Sequence, residues 1–416
     1  MQPTEPAQLV RDTPSGVHER PWLFNFLIAP AAVIAIGLVD GALSYLLRNE
    51  GVNPARSASI IALLTLPHTI YFLWAPLTDF FVRRRTWLMA ASVAASVSLL
   101  AAFHQPRLSS TRSVALLFLG MCLGVCVAAA CGGMMGSLRS EHNRRRAASF
   151  YQVGSLAFGA IAVFVLVTLS YAHYSYASLG LILDAMIVVP ALFALAAPPQ
   201  QLPRESNASE VLARIGREFK STFLRWEAIP YTLLVSAPIC SGALIGLLPG
   251  LAIDYGVTGT QLAWINGVGG ALLTASGAYV ASLIPIRVRA SVAFPISGLV
   301  NAAAAAIFVL GSPRPAVYFT GTVLFLFTIG AGYGLFTGVS LEFLGGSGKS
   351  GSARYAIINS LGNLPVAYMS YFDGRAYARW GPRGMPAADA ILSALGAALL
   401  LAHFVVSRRR RLRIAA

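Results

Sequence analysis

Two ionisable side chains, Asp40 and His68, lie inside long apolar runs of this 416-residue sequence. A charged group inside a bilayer is costly, so such residues are rare and are candidates for function. Asp40 is seven residues from the end of the first run, and His68 is 11 residues into the second. At 1.5 Å per residue the two depths differ by roughly one helical turn. We therefore predict that Asp40 carries a proton, with His68 as its partner in proton coupling.

Each residue also has a structural interpretation, which the sequence leaves open. The Asp40 carboxylate can bind a neighbouring polar group and never titrate. The His68 ring can likewise be satisfied by a neighbouring backbone carbonyl.

A carboxylate and three guanidinium groups, Asp79, Arg83, Arg84 and Arg85, fill the short turn between the second and third apolar runs. The carboxylate can pair with an Arg side chain or with the N-terminus of a neighbouring helix. Because such a pair can be broken, we predict that these four residues form a latch that holds one arrangement of the helices. An ordinary basic loop that only fixes membrane orientation is the alternative.

The second half of the chain offers neutral polar and aromatic side chains instead of charges. Amide and phenol groups can hydrogen-bond a bulky polar solute without burying a charge. Prolines in the seventh apolar run are expected to break that helix and to free carbonyl groups toward a cavity. The predicted solute-binding residues are Asp40, Asn266, Tyr333, Asn359 and Asn363.

The elements that must position these residues are apolar runs of membrane-spanning length. The sequence is 56% hydrophobic and only 11% charged, and its mean hydropathy is +0.67. A soluble protein of this composition would expose large apolar surfaces to water. We predict an all-α membrane protein with twelve transmembrane helices in two pseudo-symmetric six-helix halves. The runs lie at about 22–47, 57–82, 86–104, 113–137, 148–170, 177–197, 228–253, 260–285, 288–310, 316–340, 353–373 and 386–406.

The distribution of basic residues predicts the orientation. Of the 31 Lys and Arg residues, 23 lie in segments on the same side as both termini and eight on the other side. This bias predicts a multi-pass membrane protein with both termini in the cytoplasm. The predicted parts are a cytoplasmic tail (1–20), a first six-helix half (21–197), a linker (198–227), a second half (228–406) and a basic tail (407–416).

Within the linker, apolar residues recur at helical spacing between basic residues over 211–226. This pattern predicts an amphipathic helix on the membrane surface, so lipid is an expected partner. Glycines at four-residue spacing in the fourth and tenth runs let another helix come close. This spacing is equally typical of helices that slide past each other during gating and of helices that only pack tightly.

Several classes of function are not expected. The net charge of +15 is spread over turns and chain ends, so no nucleic-acid partner is predicted. No metal or nucleophile constellation is apparent, and no paired intramembrane aspartates, so the chain is not predicted to be an enzyme. No cofactor is expected, and no ATP-binding loop is present to drive pumping.

The turn 74–85 resembles the loop between the second and third helices of the major facilitator superfamily, with a pattern of roughly G-x-L-x-D-R-x-G-R-R. Leu77, Asp79 and the Arg cluster fit this pattern. Ala75 replaces the first Gly, and Phe80 replaces the first basic residue.

Further patches are similar to the peptide/acetyl-CoA/drug transporter branch of that superfamily. They are Leu46-Leu-Arg-Asn-Glu-Gly-Val, Phe72-Leu-Trp-Ala-Pro-Leu-Thr-Asp and Ala353-Arg-Tyr-Ala-Ile-Ile-Asn-Ser-Leu-Gly-Asn-Leu-Pro365. In this fold the first, fourth, seventh and tenth helices line the cavity. The resemblance therefore implies that Asp40 faces the cavity, whereas Asp184 and His403 are structural or interfacial.

The resemblance implies a monomeric secondary transporter that works by alternating access. The branch includes muropeptide permeases, acetyl-CoA transporters and inner-membrane permeases for siderophores. Twelve runs leave no room for the two extra helices common in muropeptide permeases. We therefore expect proton-coupled import of an amphiphilic organic solute, a ferric siderophore. A muropeptide or acyl-CoA permease, or a non-transporting receptor on the same fold, is the alternative.

We predict that Asp79→Asn leaves membrane insertion intact but impairs transport, because the carboxylate is unnecessary for orientation yet suited to a latch. Transport by this variant is measured at equal abundance in the membrane. Wild-type rates would reject the latch.

Overall fold

The computed structural model describes residues 19–73, 78, 82–138, 141–197, 213, 216–217, 219–220, 223–285, 287–344 and 351–415. These residues form twelve helical segments and no strand, which confirms the predicted all-α class. The segments of the first half are α1 (21–49), α2 (Pro54–Thr69), α3 (Arg84–Phe103), α4 (Thr111–Gly136), α5 (Glu141–Tyr171) and α6 (Tyr176–Ala191). Those of the second half are α7 (Ile229–Ser236 and Ala243–Leu251), α8 (259–282), α9 (Ala290–Leu310), α10 (Pro315–Leu344), α11 (Gly351–Trp380) and α12 (Gly384–Ala415).

Local sequence explains where several helices begin and turn. The side chains of Asn53, Ser110 and Ser175 accept hydrogen bonds from backbone N–H groups in the first turns of α2, α4 and α6. Such caps satisfy donors that have no partner within the helix. Gly381, at φ +67°, supplies the left-handed conformation that reverses the chain between α11 and α12.

Eight helical stretches of the described chain are long and apolar enough to cross a membrane. One of them, 357–406, contains most of both α11 and α12. The breaks and π-helical turns described below interrupt α7 and α8, and α2 spans only 16 residues. The chain is therefore a multi-pass membrane protein in which several spans are irregular.

Glycines let pairs of helices approach within backbone contact. A methyl group added at Gly330 of α10 would lie 2.1 Å from the Thr274 carbonyl oxygen of α8, and one at Gly277 would lie 1.9 Å from the Phe327 carbonyl oxygen. The same close approach joins α1 to α5, where a methyl at Gly37 would lie 2.4 Å from the Ala162 Cβ. Tight packing therefore accounts for Gly330 of α10.

Three helices depart from α geometry near the middle of the bundle. Helix α1 passes through a π-helical stretch, Val33–Val39, which ends at Asp40. Helix α8 has a second π-helical stretch, Ala263–Val268. Helix α7 is broken between Ser236 and Ala243, where Pro238 lies, whereas Pro230 stands at the start of the first part and Pro249 stays inside the second. Such irregular backbone is tolerated at membrane depth where it is covered by protein or lines a cavity.

The two halves touch at the end of the bundle that carries Arg48, here called the Arg48 end. The Arg48 guanidinium of α1 lies 2.8 Å from an Asp254 carboxylate oxygen, which follows α7. The other oxygen of Asp254 accepts a hydrogen bond of 2.9 Å from the Tyr377 hydroxyl of α11. One turn deeper, the Gly250 N–H donates to the Ser44 hydroxyl at 3.0 Å. These contacts close the Arg48 end across the two halves.

We predict that Asp254→Asn opens the Arg48 end more often, because it removes the charge that Arg48 meets. The loss of about 1 kcal/mol expected for a partly buried pair shifts the equilibrium roughly fivefold. The test is the rate at which a membrane-impermeant maleimide labels Ser57→Cys, a buried position beside this contact, in a background without the four native cysteines.

The matched control for this test is Glu50→Gln. Glu50 lies at the same end, but its carboxylate accepts hydrogen bonds from Leu108 N–H and Ser109 N–H within the first half. Faster labelling is expected for Asp254→Asn alone. Equal rates in the two variants would contradict a closing role for the Arg48–Asp254 pair.

Candidate functional site

Asp40 lies at a junction of helices from both halves. A methyl group added at Gly246 of α7 would lie 3.7 Å from the Asp40 Cα and 3.4 Å from a methyl of Ile61 in α2. The Tyr333 phenol of α10 is close enough to interact electrostatically with the Asp40 carboxylate. The side chain of Asp40 is partly exposed and has no hydrogen-bond partner in the described chain. It is therefore available to a proton or to a solute.

The break in α7 forms the wall opposite Asp40. Cys240 and Gly242 adopt positive φ angles of 48° and 80°, which end one half of α7 and begin the other. The Tyr368 hydroxyl of α11 donates to the Ser236 carbonyl at 2.8 Å, so one backbone acceptor freed by the break is satisfied. Tyr333 lies against Gly242, and 41% of its side chain is exposed. Backbone from the break and the phenol of Tyr333 thus share one surface with Asp40.

The other predicted binding residues differ in whether their side-chain oxygens already accept a hydrogen bond. The Asn266 side-chain oxygen accepts a hydrogen bond of 2.9 Å from the buried Tyr318 hydroxyl, which ties α8 to α10. The Asn363 side chain donates to the Asn359 carbonyl at 3.1 Å, one turn earlier in α11. Both α11 amides are half-buried. Asn266 thus has a packing role in this arrangement, whereas the side-chain oxygens of Asn359 and Asn363 accept no hydrogen bond from the described residues.

His68 is not beside Asp40. Asp40 is level with Ile61, and His68 lies seven residues farther along α2, roughly 10 Å away. No hydrogen bond or ion pair joins the two side chains in the described chain. The depth difference is therefore about two helical turns instead of one, and a π-helical stretch lies directly before Asp40 in α1. Sequence counting assumed regular helices and could not include this offset.

Asp79 lies outside the described residues, so the latch stays a prediction, but the neighbouring arginines are described. The Arg84 guanidinium donates to the Gly133 carbonyl of α4 at 2.5 Å. Gly133 belongs to the last turn of α4, where carbonyl groups carry the negative end of the helix dipole. Arg83 is exposed and Arg85 half-buried. Arg84 therefore joins the α2–α3 turn to the end of α4.

Two carboxylates that sequence reasoning missed are among the most buried side chains of the protein. Asp373 of α11 is 0% exposed and Asp389 of α12 is 3% exposed, and the two interact electrostatically. The expectation of no paired intramembrane aspartates is therefore wrong. The signal was available, because Asp373 is seven residues before the end of α11 and Asp389 five residues after the start of α12. In a helical hairpin such positions lie at similar depths.

Asp184 has the structural role that was expected of it. The Ser96 hydroxyl of α3 donates to a carboxylate oxygen of Asp184 in α6. This bond joins two helices of the first half away from the α7 break. His403 of α12 is exposed and stacks edge-on against Phe404, with ring centroids 5.5 Å apart.

Comparisons with known proteins agree with this geometry. A family model described as Major Facilitator Superfamily matches residues 26–364. No curated protein sequence matches the chain. Solved structures of transporters share the fold at low sequence identity. They include the nucleoside transporter NupG (12% identity, 92% of this chain and 98% of that chain, TM-score 0.71) and a D-xylose-proton symporter (13%, 91% and 95%, 0.69). A third is a bacterial homologue of the human lysosomal transporter Spinster (15%, 94% and 98%, 0.67).

We predict that Gly242→Ala destabilises the protein more than Gly256→Ala does. Both glycines have positive φ, so each substitution costs about 1 kcal/mol in backbone strain. Only at Gly242 would the new methyl also collide with the Tyr333 hydroxyl, at 2.1 Å, whereas nothing lies within 4 Å at Gly256. The measurement is the midpoint temperature of thermal unfolding in detergent.

Removing the Tyr333 hydroxyl separates the two effects. Tyr333→Phe should raise the midpoint in the Gly242→Ala background but not in the Gly256→Ala background. Equal losses for both alanine variants, with no rescue, would show that Tyr333 does not pack against the α7 break.

Proposed function

Because the chain belongs to the Major Facilitator Superfamily, we propose that this transporter imports an amphiphilic organic solute, a ferric siderophore, with proton coupling. The observation that carries the proposal is the position of Asp40. It is a carboxylate that has no hydrogen-bond partner among the described residues, and it lies inside a membrane helix, between the two halves and beside a broken helix. A negative charge at this position needs a compensating proton, cation or solute, because the described residues offer it no partner.

In alternating access, the position of Asp40 would be exposed to one side of the membrane at a time. The Arg48 end is closed across the halves, and Asp40 lies roughly 12 Å deeper along α1 than Arg48. The positive-inside distribution assigns the Arg48 end to the outer face and the Arg84 end to the cytoplasm. The arrangement is then closed toward the outside, with Asp40 and Tyr333 on the cytoplasmic side of the closure. Breaking the Arg48–Asp254 pair would expose the same residues to the other side.

Proton coupling follows from the energetics of the carboxyl group. An ionised Asp40 is tolerated while water or a solute reaches it, whereas closing the cavity around it favours the neutral, protonated form. A proton bound on the outside can therefore be carried across and released where water enters. Since His68 lies two turns away, the proposed carrier is Asp40, and His68 acts on it, if at all, only in another arrangement of the helices.

The proposed substrate class rests on branch resemblance and on the polar groups around the cavity. Tyr333, Asn359 and Asn363 offer a phenol and two amides, which can hydrogen-bond a bulky solute with phenolate, carboxylate or amide groups. Twelve helical segments fit the compact siderophore permeases better than the longer muropeptide permeases. A muropeptide or acyl-CoA permease, and a receptor that binds without transport, remain the competing functions.

Purified full-length protein in liposomes tests the substrate. Uptake of ferric siderophores, muropeptides and acyl-CoA is compared with and without an inwardly directed proton gradient. Accumulation of a ferric siderophore alone supports the proposal, and accumulation of cell-wall fragments instead would reverse it. Binding without movement would identify a receptor.

We predict that Asp40→Asn abolishes accumulation driven by a pH gradient but spares downhill exchange, because the amide keeps the shape and cannot carry a proton. The matched control is Asp184→Asn, which loses a carboxylate that is bound to Ser96 away from the cavity. This control should retain gradient-driven uptake. Uptake that survives in Asp40→Asn with unchanged pH dependence would eliminate Asp40 as the carrier.

A further inference from the structure

A second group of ionisable side chains lies in the second half, apart from Asp40. Asp373 and Asp389 lie within electrostatic range of each other across the α11–α12 hairpin, whose two helices pack together. Neither oxygen of Asp373 has a hydrogen-bond partner in the described chain. Isolated ionised carboxylates are very costly to bury, and two that repel each other are worse. The hairpin therefore cannot hold both groups ionised without a compensating cation.

Two serine hydroxyls extend the group by one helical turn. Ser370 precedes Asp373 by three residues and Ser393 follows Asp389 by four, so each lies on the same helix face as its carboxylate. Ser370 is 0% exposed and Ser393 is 1% exposed, and neither hydroxyl has a hydrogen-bond partner among the described residues. Four of the nine unpartnered buried polar atoms in the described chain belong to this hairpin, which marks it as a place where something is bound.

Among the described residues, no basic side chain interacts electrostatically with the pair. The titratable groups that interact electrostatically with Asp389 are Asp373, Cys240 of the α7 break and Tyr333 of α10. The nearest basic residues along the hairpin, Arg375, Arg379 and Arg383, are exposed. All groups that face the pair are therefore acidic or neutral.

We propose that Asp373 and Asp389 form a second proton-binding site, which holds one shared proton between two carboxylates. Water that reaches Asp389 donates the proton, an O–H bond forms on one carboxylate oxygen, and hydroxide remains in the solvent. Release reverses the step by returning the proton to water. The proposal does not depend on the substrate or on Asp40, because proton binding can be measured without transport.

Tyr333 gives this site a connection to the cavity. Its phenol interacts electrostatically with Asp40 of the first half and with Asp389 of the second. A change of protonation at the pair therefore changes the field at the residue that packs against the α7 break. The hairpin site is thus placed to sense, from the second half, whether the cavity between the halves is charged.

Infrared spectroscopy of the purified full-length protein tests the proposal in an Asp40→Asn background. At about pH 7.5, where ordinary carboxyl groups are ionised, a protonated-carboxyl band that shifts in heavy water is expected. Asp373→Asn and Asp389→Asn should each remove or displace it, whereas Asp184→Asn should leave it unchanged.

Other outcomes overturn the proposal. If the Asp40→Asn background itself lacks the band, the pair is not protonated, and no further variant is needed to reach this conclusion. A band that appears only after sodium is removed would show that the site holds a sodium ion instead of a proton. If the asparagine variants do not fold, the double variant Asp373→Leu, Asp389→Leu is measured instead, since a buried pair of this kind tolerates apolar replacement. Loss of the band is expected in this double variant as well. A band that persists in this double variant would contradict the assignment.

Discussion

The cost of placing charge in an apolar medium is the constraint on which the functional parts of this protein depend. Most ionisable side chains lie in turns and at chain ends. Those inside the bundle are accommodated in different ways. Asp184 accepts a hydrogen bond from Ser96, the Arg48–Asp254 pair is neutralised across the two halves, and neither Asp40 nor Asp373 has a side-chain hydrogen-bond partner among the described residues. Carboxylates of the last kind leave room for a proton or a ligand.

At the break in helix α7, the cost of an apolar medium falls on polar groups of the backbone. Its carbonyl and N–H groups between Ser236 and Ala243 cannot bond within a regular helix, so they must find other partners or line a cavity. Tyr368 satisfies one carbonyl, and Tyr333 covers Gly242 without closing the site. A secondary transporter needs a surface that both binds solute and changes between two arrangements. A helix already divided in two can change at the division without breaking further hydrogen bonds.

The contacts at the Arg48 end explain how one arrangement is held. They join α1 to α7 and α11 through a charge pair, a phenol and a backbone N–H group. Each of these contacts is weak enough to be exchanged for water when the halves separate. At greater depth, Tyr333 interacts electrostatically with carboxylates of both halves, Asp40 and Asp389. Helix α1 therefore carries both a residue of the closed end, Arg48, and a carboxylate of the core, Asp40.

The sequence by itself determined the all-α membrane class, the twelve helical segments and the break in α7, because hydrophobicity and proline act over short stretches of chain. It also singled out Asp40 as a charge within an apolar run. Only the tertiary structure decided which partners these residues meet. Helix rotation and π-helical stretches put His68 two turns from Asp40, and they tied Asn266 to Tyr318. The hairpin brought Asp373 to Asp389, and docking of the halves brought Arg48 to Asp254, 206 residues away. Such pairings depend on the relative rotation and depth of separate helices, which no local pattern of residues specifies.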